Sequence, residues 1–368
     1  MYTNRDMFRA AAEIPVRLLS SVSTGWAGYL RSAARRDATP LDVALDGVAF
    51  CRAATRRRPT TFAHPNAVRR TWPLARLRQF SPTGSTTPTL VLPPLSGHAS
   101  TVVDLAPGCS LMRTVDRAGL GAAHCLEWTP TGPQPPSVGI ADLTEVITDA
   151  ITELGGTANL VAYSQSGWLA TVYAALHPHR VDTLTVAAAP IDFTLGAPAS
   201  WLVPSYRGPR FRPPAAVRGA ALRFVEWPDE WARLSDLWAH IHDRRRVDAY
   251  VAAESWLDSP QVVPADLYRW VARHLYERNE LVRGELRVDG VVVDLGAITC
   301  PLYLLAGTRD RIVPARQVWP LADHVSTAPD LVTRRTVDAG HLDMVLDPAV
   351  LERAWLPLLR DVAAKSRR

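Results

Sequence analysis

From about residue 85 onward, short apolar runs alternate with stretches whose apolar residues recur every three or four positions. The runs at 89–93, 122–127, 158–163 and 182–188 have the length of buried strands, and the stretches near 107–119, 140–154 and 166–176 have helical spacing. Ile140, Leu143, Val146, Ile147, Ile151 and Leu154 mark the inner face of one such helix. The pattern resumes with a strand in Cys300–Asp310 and another in Leu331–Val337, and Asp347-Pro348 supplies an N-cap and a first-turn Pro for a last helix. Strands alternating with helices predict a parallel sheet with helices on both faces.

Two regions break this rhythm. Residues 1 to about 80 show helical spacing in Phe8, Ile14, Val16, Leu18 and Leu19, followed by a Pro-, Arg- and Thr-rich stretch from Arg52 to Pro73 that reads as a linker or loop. The expectation is a helical extension packed on the core rather than on a lipid or polymer surface. Between about 195 and 295 the alternation stops, and six of the twelve Trp fall there (201, 227, 231, 238, 256 and 270). This length suits an inserted helical cap that would exclude water and shape an apolar acyl tunnel. The expected organisation is an extension over 1–80, a first core part over 81–195, a cap over 196–295 and a second core part over 296–368.

Composition narrows the class without choosing the chemistry. A chain of 368 residues with 47% hydrophobic content can bury a large core. Early charges at Arg5, Asp6, Arg9, Glu13 and Arg17 interrupt any signal-peptide core, and no run of about 18 apolar residues occurs. A cytoplasmic protein, possible as a homodimer, is expected. Cys51, Cys109, Cys125 and Cys300 lack metal-like spacing and read as reduced, mostly buried thiols. The net charge of +5 includes the clusters Arg56–Arg58 and Arg244–Arg246, which fit acidic substrates such as coenzyme A thioesters better than nucleic acid. His240 and His242 lack a third ligand for a metal, and Gly119-Leu-Gly121 lacks the third glycine of a dinucleotide fingerprint, so no cofactor is expected.

The candidate chemistry begins in Asn159-Leu-Val-Ala-Tyr-Ser-Gln-Ser-Gly-Trp168, where an apolar strand feeds a Ser flanked by small residues. Ala162 and Ser166 occupy the glycine positions of a G-x-S-x-G elbow, and Ser164 is the candidate nucleophile. The N–H of Gln165 would then be the first oxyanion donor at the helix start. Downstream, Asp310 ends a strand and is the candidate acid, with Asp338 and Asp343 as alternatives. His341 follows the next strand and is the candidate base, completing the chain order Ser, Asp, His. The loop Leu95-Ser-Gly-His-Ala-Ser100 follows an early strand, where Gly97 permits close backbone approach. An N–H between Ser96 and Ala99 could serve as the second oxyanion donor, with His98 either lining the pocket or facing solvent.

The run Leu90-Val-Leu-Pro-Pro-Leu-Ser-Gly-His-Ala-Ser-Thr101 resembles intracellular polyhydroxyalkanoate depolymerases, and Val103-Asp-Leu-Ala-Pro-Gly-Cys-Ser-Leu111 is similar to a loop of polyhydroxyalkanoate synthases. Asn279–Gly284, Val288–Leu295, Asp310–Pro314 and Gly340-His341 look like the synthase pattern again, so the resemblance spans roughly residues 85 to 350. It implies an α/β-hydrolase fold with an inserted helical cap and an N-terminal helical extension. It also implies an acyl-enzyme, with a 3-hydroxyacyl or polyketide-like ester or thioester, carried by coenzyme A or a carrier protein, as the natural substrate. Both families place Cys at the elbow, where this chain has Ser164. An oxygen ester is more readily resolved by water or an alcohol, which points to hydrolysis or a single acyl transfer rather than polymer synthesis. A non-catalytic binding or scaffold relative is the reading from another class.

Overall fold

The structure, a computed structural model, describes residues 4–82, 87–95, 97–129, 137–195, 229–261 and 263–366, with side chains from residue 19 on. Eight strands form the main sheet: β1 (Ala67–Thr71), β2 (Ala75–Gln79), β3 (Thr89–Leu92), β4 (Ala123–Trp128), β5 (Ala158–Tyr163), β6 (Val181–Ala187), β7 (Leu302–Gly307) and β8 (Val332–Val337). Their order across the sheet is β1-β2-β4-β3-β5-β6-β7-β8. Only the pairings of β2 with β1 and with β4 are antiparallel. The parallel strands β3, β5, β6 and β7 are buried along their whole length, because crossover helices cover both faces. Parallel pairing also brings the C-terminal ends of β5, β6, β7 and β8 to one edge of the sheet, where their outgoing loops meet.

The core helices follow the apolar periodicity closely. Helix α4 (Ile140–Glu153) buries Ile140, Leu143, Val146, Ile147 and Ile151 against the sheet, and α5 (Gln165–Leu176) is buried almost all round. The helix expected near 107–119 is shorter, α3 (Leu111–Arg117). Its expected first residues instead form the turn Pro107-Gly108 and the strand Cys109–Ser110, which pairs antiparallel with Asp104–Ala106. Ser110 then caps α3, its Oγ accepting the Arg113 N–H at 3.0 Å.

Two expectations for the N-terminal region are corrected. The stretch Arg52–Pro73, read as linker or loop, contains β1, and the main sheet therefore begins before residue 81. Every β1 residue is exposed, so this edge strand lacks the alternation that would have marked it in the sequence. Helices α1 (Asn4–Arg35) and α2 (Pro40–Thr55) form the extension, with Thr39 and Asp42 making a capping box at the start of α2. They pack on the inserted region rather than on the sheet. A Cβ at Gly25 would stand 2.7 Å from Ser235 O, and one at Gly28 would stand 2.9 Å from Ala239 Cβ, so two glycines let α1 cross helix α6 (229–239) closely.

The described part of the insertion continues with α7 (Arg244–Leu257) and α8 (Ala265–Val271). Residues 196–228, with Trp201 and Trp227, lie outside the described residues. Of the remaining Trp, Trp238 stacks on Tyr29 of α1 at 4.1 Å between ring centroids, and Trp270 stacks on Trp168 of α5 at 6.1 Å. Both are packing residues.

Candidate active site

Between β5 and α5 the backbone turns at Ser164, whose φ of 57° and ψ of −128° lie where a non-glycine residue costs about 1–3 kcal/mol unless its surroundings hold it. They do. The Ser164 N–H donates to Ala187 O at the end of β6 at 2.9 Å, and the Gly167 N–H donates to Ser164 O at 2.9 Å. Ala162 is wholly buried between Leu92 of β3 and Val186 of β6. The glycine requirement of the elbow falls at Gly167, where a Cβ would lie 2.2 Å from Ala189 Cβ. Ser166 is buried and bonded: its hydroxyl donates to Pro93 O, and Trp128 Nε1 donates to Ser166 Oγ at 3.3 Å. That side chain ties the start of α5 to the strand-β3 loop, which explains why a residue larger than glycine stands there.

Ser164, Asp310 and His341 come from three strand ends and meet. Ser164 Oγ lies 2.9 Å from His341 Nε2, and His341 Nδ1 lies 2.7 Å from Asp310 Oδ2. Asp310 accepts at its other oxygen from the N–H groups of Ile312 at 2.9 Å and Val313 at 2.7 Å, which fixes the carboxylate plane. A carboxylate at Nδ1 selects the tautomer with its proton there, leaving Nε2 to accept from the Ser164 hydroxyl. All three side chains are buried. Gly307 at the end of β7 permits this closeness, because a Cβ there would lie 2.4 Å from Ala339 O.

The imidazole is supported from outside the trio as well. Tyr163, one residue before Ser164, stacks on His341 with ring centroids 5.4 Å apart and donates its hydroxyl to the His341 carbonyl. The alternative acids Asp338 and Asp343 both engage Arg309 instead, at 2.9 and 3.2 Å. Arg309 also reaches Asp229, the first described residue of α6, at 2.6 Å. Burial, and then the neighbouring Asp343 charge, push the Asp229 carboxyl above its usual range. Asp229 and Tyr163 carried no signal in the sequence reading, and the only hint of Arg309 was its place beside Asp310.

The expected oxyanion elements are distributed as follows. Gln165 opens α5, so its N–H lies in the first turn of the helix, directly after Ser164. Gly97 has φ of 98°, and its carbonyl accepts the Gln261 N–H at 2.8 Å. His98 does not face solvent; it is buried, 4.5 Å from the Trp256 ring, with Nε2 at 3.1 Å from Leu257 O. Trp256 Nε1 in turn donates to Ala99 O at 2.7 Å, so the loop is clamped to the end of α7. Ser96 lies outside the described residues.

The residues considered for other binding roles have partners. His242 Nε2 pairs with Asp46 at 2.9 Å, and His240 with Asp236 at 3.0 Å. In the Arg clusters, Arg57 pairs with Asp258, and Arg246 with Asp236 at 2.8 Å. Among the described residues, no three His, Cys, Asp or Glu side chains stand close enough to hold a metal ion, and no helix is long and apolar enough to cross a membrane. A cavity of about 630 Å³ lies between α6, α7 and the segment after His341, lined by Leu105, Leu237, Tyr250, Arg309 and Asp343 among others.

Residues 126–348 match the family model described as alpha/beta hydrolase fold, which covers more than half of the chain. The chain belongs to the α/β-hydrolase fold family and is an enzyme of that class. Its sequence is also similar to poly(3-hydroxyalkanoate) polymerase subunits. It is 23% identical over 239 residues to the poly(3-hydroxyalkanoate) polymerase subunit PhaC of Haloferax mediterranei, covering 61% of this chain and 48% of that one. The PhaC subunit of Synechocystis is 25% identical over 215 residues, covering 52% and 54% respectively. The chain thus spans about half the length of the curated relatives it matches. Among solved structures, an epoxide hydrolase mutant from Bacillus megaterium has a TM-score of 0.51 at 14% identity, covering 80% of this chain and 99% of its own. The monoacylglycerol lipase of Paleococcus ferrophilus has a TM-score of 0.50 at 17% identity, covering 78% and 98%. These two likenesses are of fold.

Proposed function

We propose that the chain is a serine-dependent ester or thioester hydrolase, or an acyltransferase using the same acyl-enzyme. The observation that carries this reading is the chain of hydrogen bonds from Ser164 Oγ through His341 to Asp310 at a strained elbow. Ser164 Oγ attacks the substrate carbonyl while His341 Nε2 takes its proton. The same proton returns to the leaving thiol or alcohol, giving an ester on Ser164. Asp310 keeps the imidazole oriented and stabilises its charge. The N–H of Gln165, with one N–H from residues 96–99, holds the developing oxyanion. Water, activated by His341, then releases the acid; an alcohol or amine in its place gives a single transfer.

The acyl group is proposed to be 3-hydroxyacyl or polyketide-like, supported by relatives named for poly(3-hydroxyalkanoate) polymerisation. Delivery as a coenzyme A or carrier-protein thioester and a cytoplasmic location are part of the same proposal. Chain growth requires an intermediate that outlives arrival of the next monomer, and an oxygen ester beside His341 is poorly suited to wait. A fluorophosphonate probe should label the wild type and Ser166→Ala but leave Ser164→Ala unlabelled. Labelling that survives Ser164→Ala would move the nucleophile, and no labelling of the wild type would favour a non-catalytic scaffold. With 3-hydroxyacyl thioesters, mass spectrometry should find acyl-Ser164 and free acid or one transfer product. Products longer than a few units would overturn the reading of hydrolysis or single transfer, and polymer gained in Ser164→Cys would assign that difference to the nucleophile.

A further inference from the structure

Arg309 stands directly before Asp310 and spends its guanidinium on three separate carboxylates. Nε binds Asp338 at 2.9 Å, Nη2 binds Asp343 at 3.2 Å, and Nη1 binds Asp229 at 2.6 Å. Asp338 and Asp343 bracket His341 in the chain, and Arg309 Nη2 also donates to the Asp338 carbonyl at 3.3 Å. The Asp343 oxygen that receives Arg309 also accepts the Gly340 N–H at 3.1 Å. The third carboxylate belongs to another region: Asp229 is the first described residue of α6 in the insertion. It comes so near the base loop that a Cβ on Gly340 would lie 3.0 Å from Asp229 Oδ2 and 3.2 Å from Asp343 Oδ2. One cation therefore ties the acid loop, both flanks of the base loop and the inserted region together.

The geometry points to Arg309 as a positioning residue for His341, and to its bond with Asp229 as the link through which the inserted region sets the imidazole. This rests on the proposed role of His341. Without the guanidinium, Asp229 and Asp343 lose their nearest positive charge, with Arg233 left at 3.9 Å from Asp343, and each is largely shielded from water. Their repulsion loosens the base loop beside the cavity of about 630 Å³ that both residues line. Lysine does not replace the fork, since one ammonium on a flexible stem cannot hold three carboxylates in divergent directions. A shift of about 1 Å in a positioned group is enough to cost about 100-fold in rate.

The test uses Arg309→Gln and Arg309→Lys, with Asp229→Asn to remove only the inserted-region end. An exposed ion-pair control, Arg117→Gln, breaks the bond to Glu352, a pair that shares no partner with Arg309. Turnover of a p-nitrophenyl ester, the rate of fluorophosphonate labelling and hydrogen exchange of the segment 338–346 are measured below each variant's unfolding temperature. We expect kcat and the labelling rate to fall about 10- to 100-fold in both Arg309 variants, with KM little changed, and exchange in 338–346 to quicken. Asp229→Asn should move the same three readouts in the same direction by less, and Arg117→Gln should move none. A folded Arg309→Gln with wild-type labelling rate and wild-type exchange overturns the inference, as does loss confined to thermal stability. If Arg309→Gln does not fold, unchanged kcat and exchange in Asp229→Asn overturns the link to the inserted region. If the wild type fails to label while 338–346 still loosens in the variants, the serine chemistry falls and the positioning of the loop stands.

Discussion

The C-terminal edge of the sheet and the N-terminal helical pair are held in opposite ways. At the sheet edge, Ser164, Asp310 and His341 are each 7% exposed or less, and backbone bonds from strand ends or adjoining turns fix the elbow and the acid loop. In α1 and α2, Leu30, Leu41, Leu45 and Val48 are all more than half exposed. The pair is fastened mainly by a Trp26, Tyr29, Phe50 and Trp238 cluster and by Asp46. Asp46 accepts from Tyr29 at 2.8 Å and Arg36 at 2.9 Å and meets His242. Redundant backbone anchoring lets the sheet edge tolerate a strained φ; attachment through a few side chains leaves the helical pair dependent on each of them.

The comparison is broken most severely by chemistry at the sheet edge. Ser164→Ala should reduce ester turnover by about 10⁴- to 10⁶-fold, yet leave the thermal midpoint nearly unchanged, because the anchoring bonds are main-chain. A large loss of stability in that variant would show the elbow to depend on its side chain. Asp310→Asn is the next step down, with a loss of about 10³- to 10⁴-fold from the wrong imidazole tautomer. Asp338→Asn should fall far less, and equal losses in the two would remove Asp310 from its proposed role.

At the helical pair the expected effects are energetic. Asp46→Ala should weaken attachment by about 1–3 kcal/mol, since it leaves the Tyr29 hydroxyl and Arg36 without their shared acceptor. Proteolysis within residues 19–55 should accelerate while kcat stays within about twofold. A parallel fall in kcat would mean that the helices hold the site as well as the inserted region.

Acid sharpens the contrast by the smallest margin. Burial holds the pKa of His124 on β4 below its usual 6.5, so the folded sheet favours the neutral ring. The unfolded chain takes up that proton first, and stability from this group is lost as pH falls below about 6.5. Asp46 behaves otherwise. Burial raises its pKa, but the bonds from His242, Arg36 and Tyr29 outweigh it and hold the carboxyl below 3.8. Its stabilisation is therefore present above the unfolded value and lost only as pH falls through the lower folded one. Relative to wild type, His124→Gln should lose less stability between pH 7 and pH 5, and Asp46→Ala should narrow its deficit only below about pH 4. Thermal melts across that range check both, and a His124→Gln curve parallel to wild type would show the ring to be charged in the fold.

Periodicity located β3, β5, β6, α4 and α5 within a residue or two, because each buries a continuous apolar run or stripe that no loop can offer. Together with the elbow motif and the chain order Ser, Asp, His, it singled out Ser164, Asp310 and His341, since strand-to-loop junctions in a parallel sheet arrive at one edge. The exposed strand β1 escaped it, having no buried face to write into the sequence. Tertiary structure alone decided that α1 lies on α6 through Gly25 and Gly28, that the glycine of the elbow is Gly167, and that Arg309 binds Asp229 eighty positions away. A hydrophobic period records which face of an element leaves water. Which two faces meet, and how closely, depends on contacts between residues far apart in the chain, and a single sequence carries no mark of those.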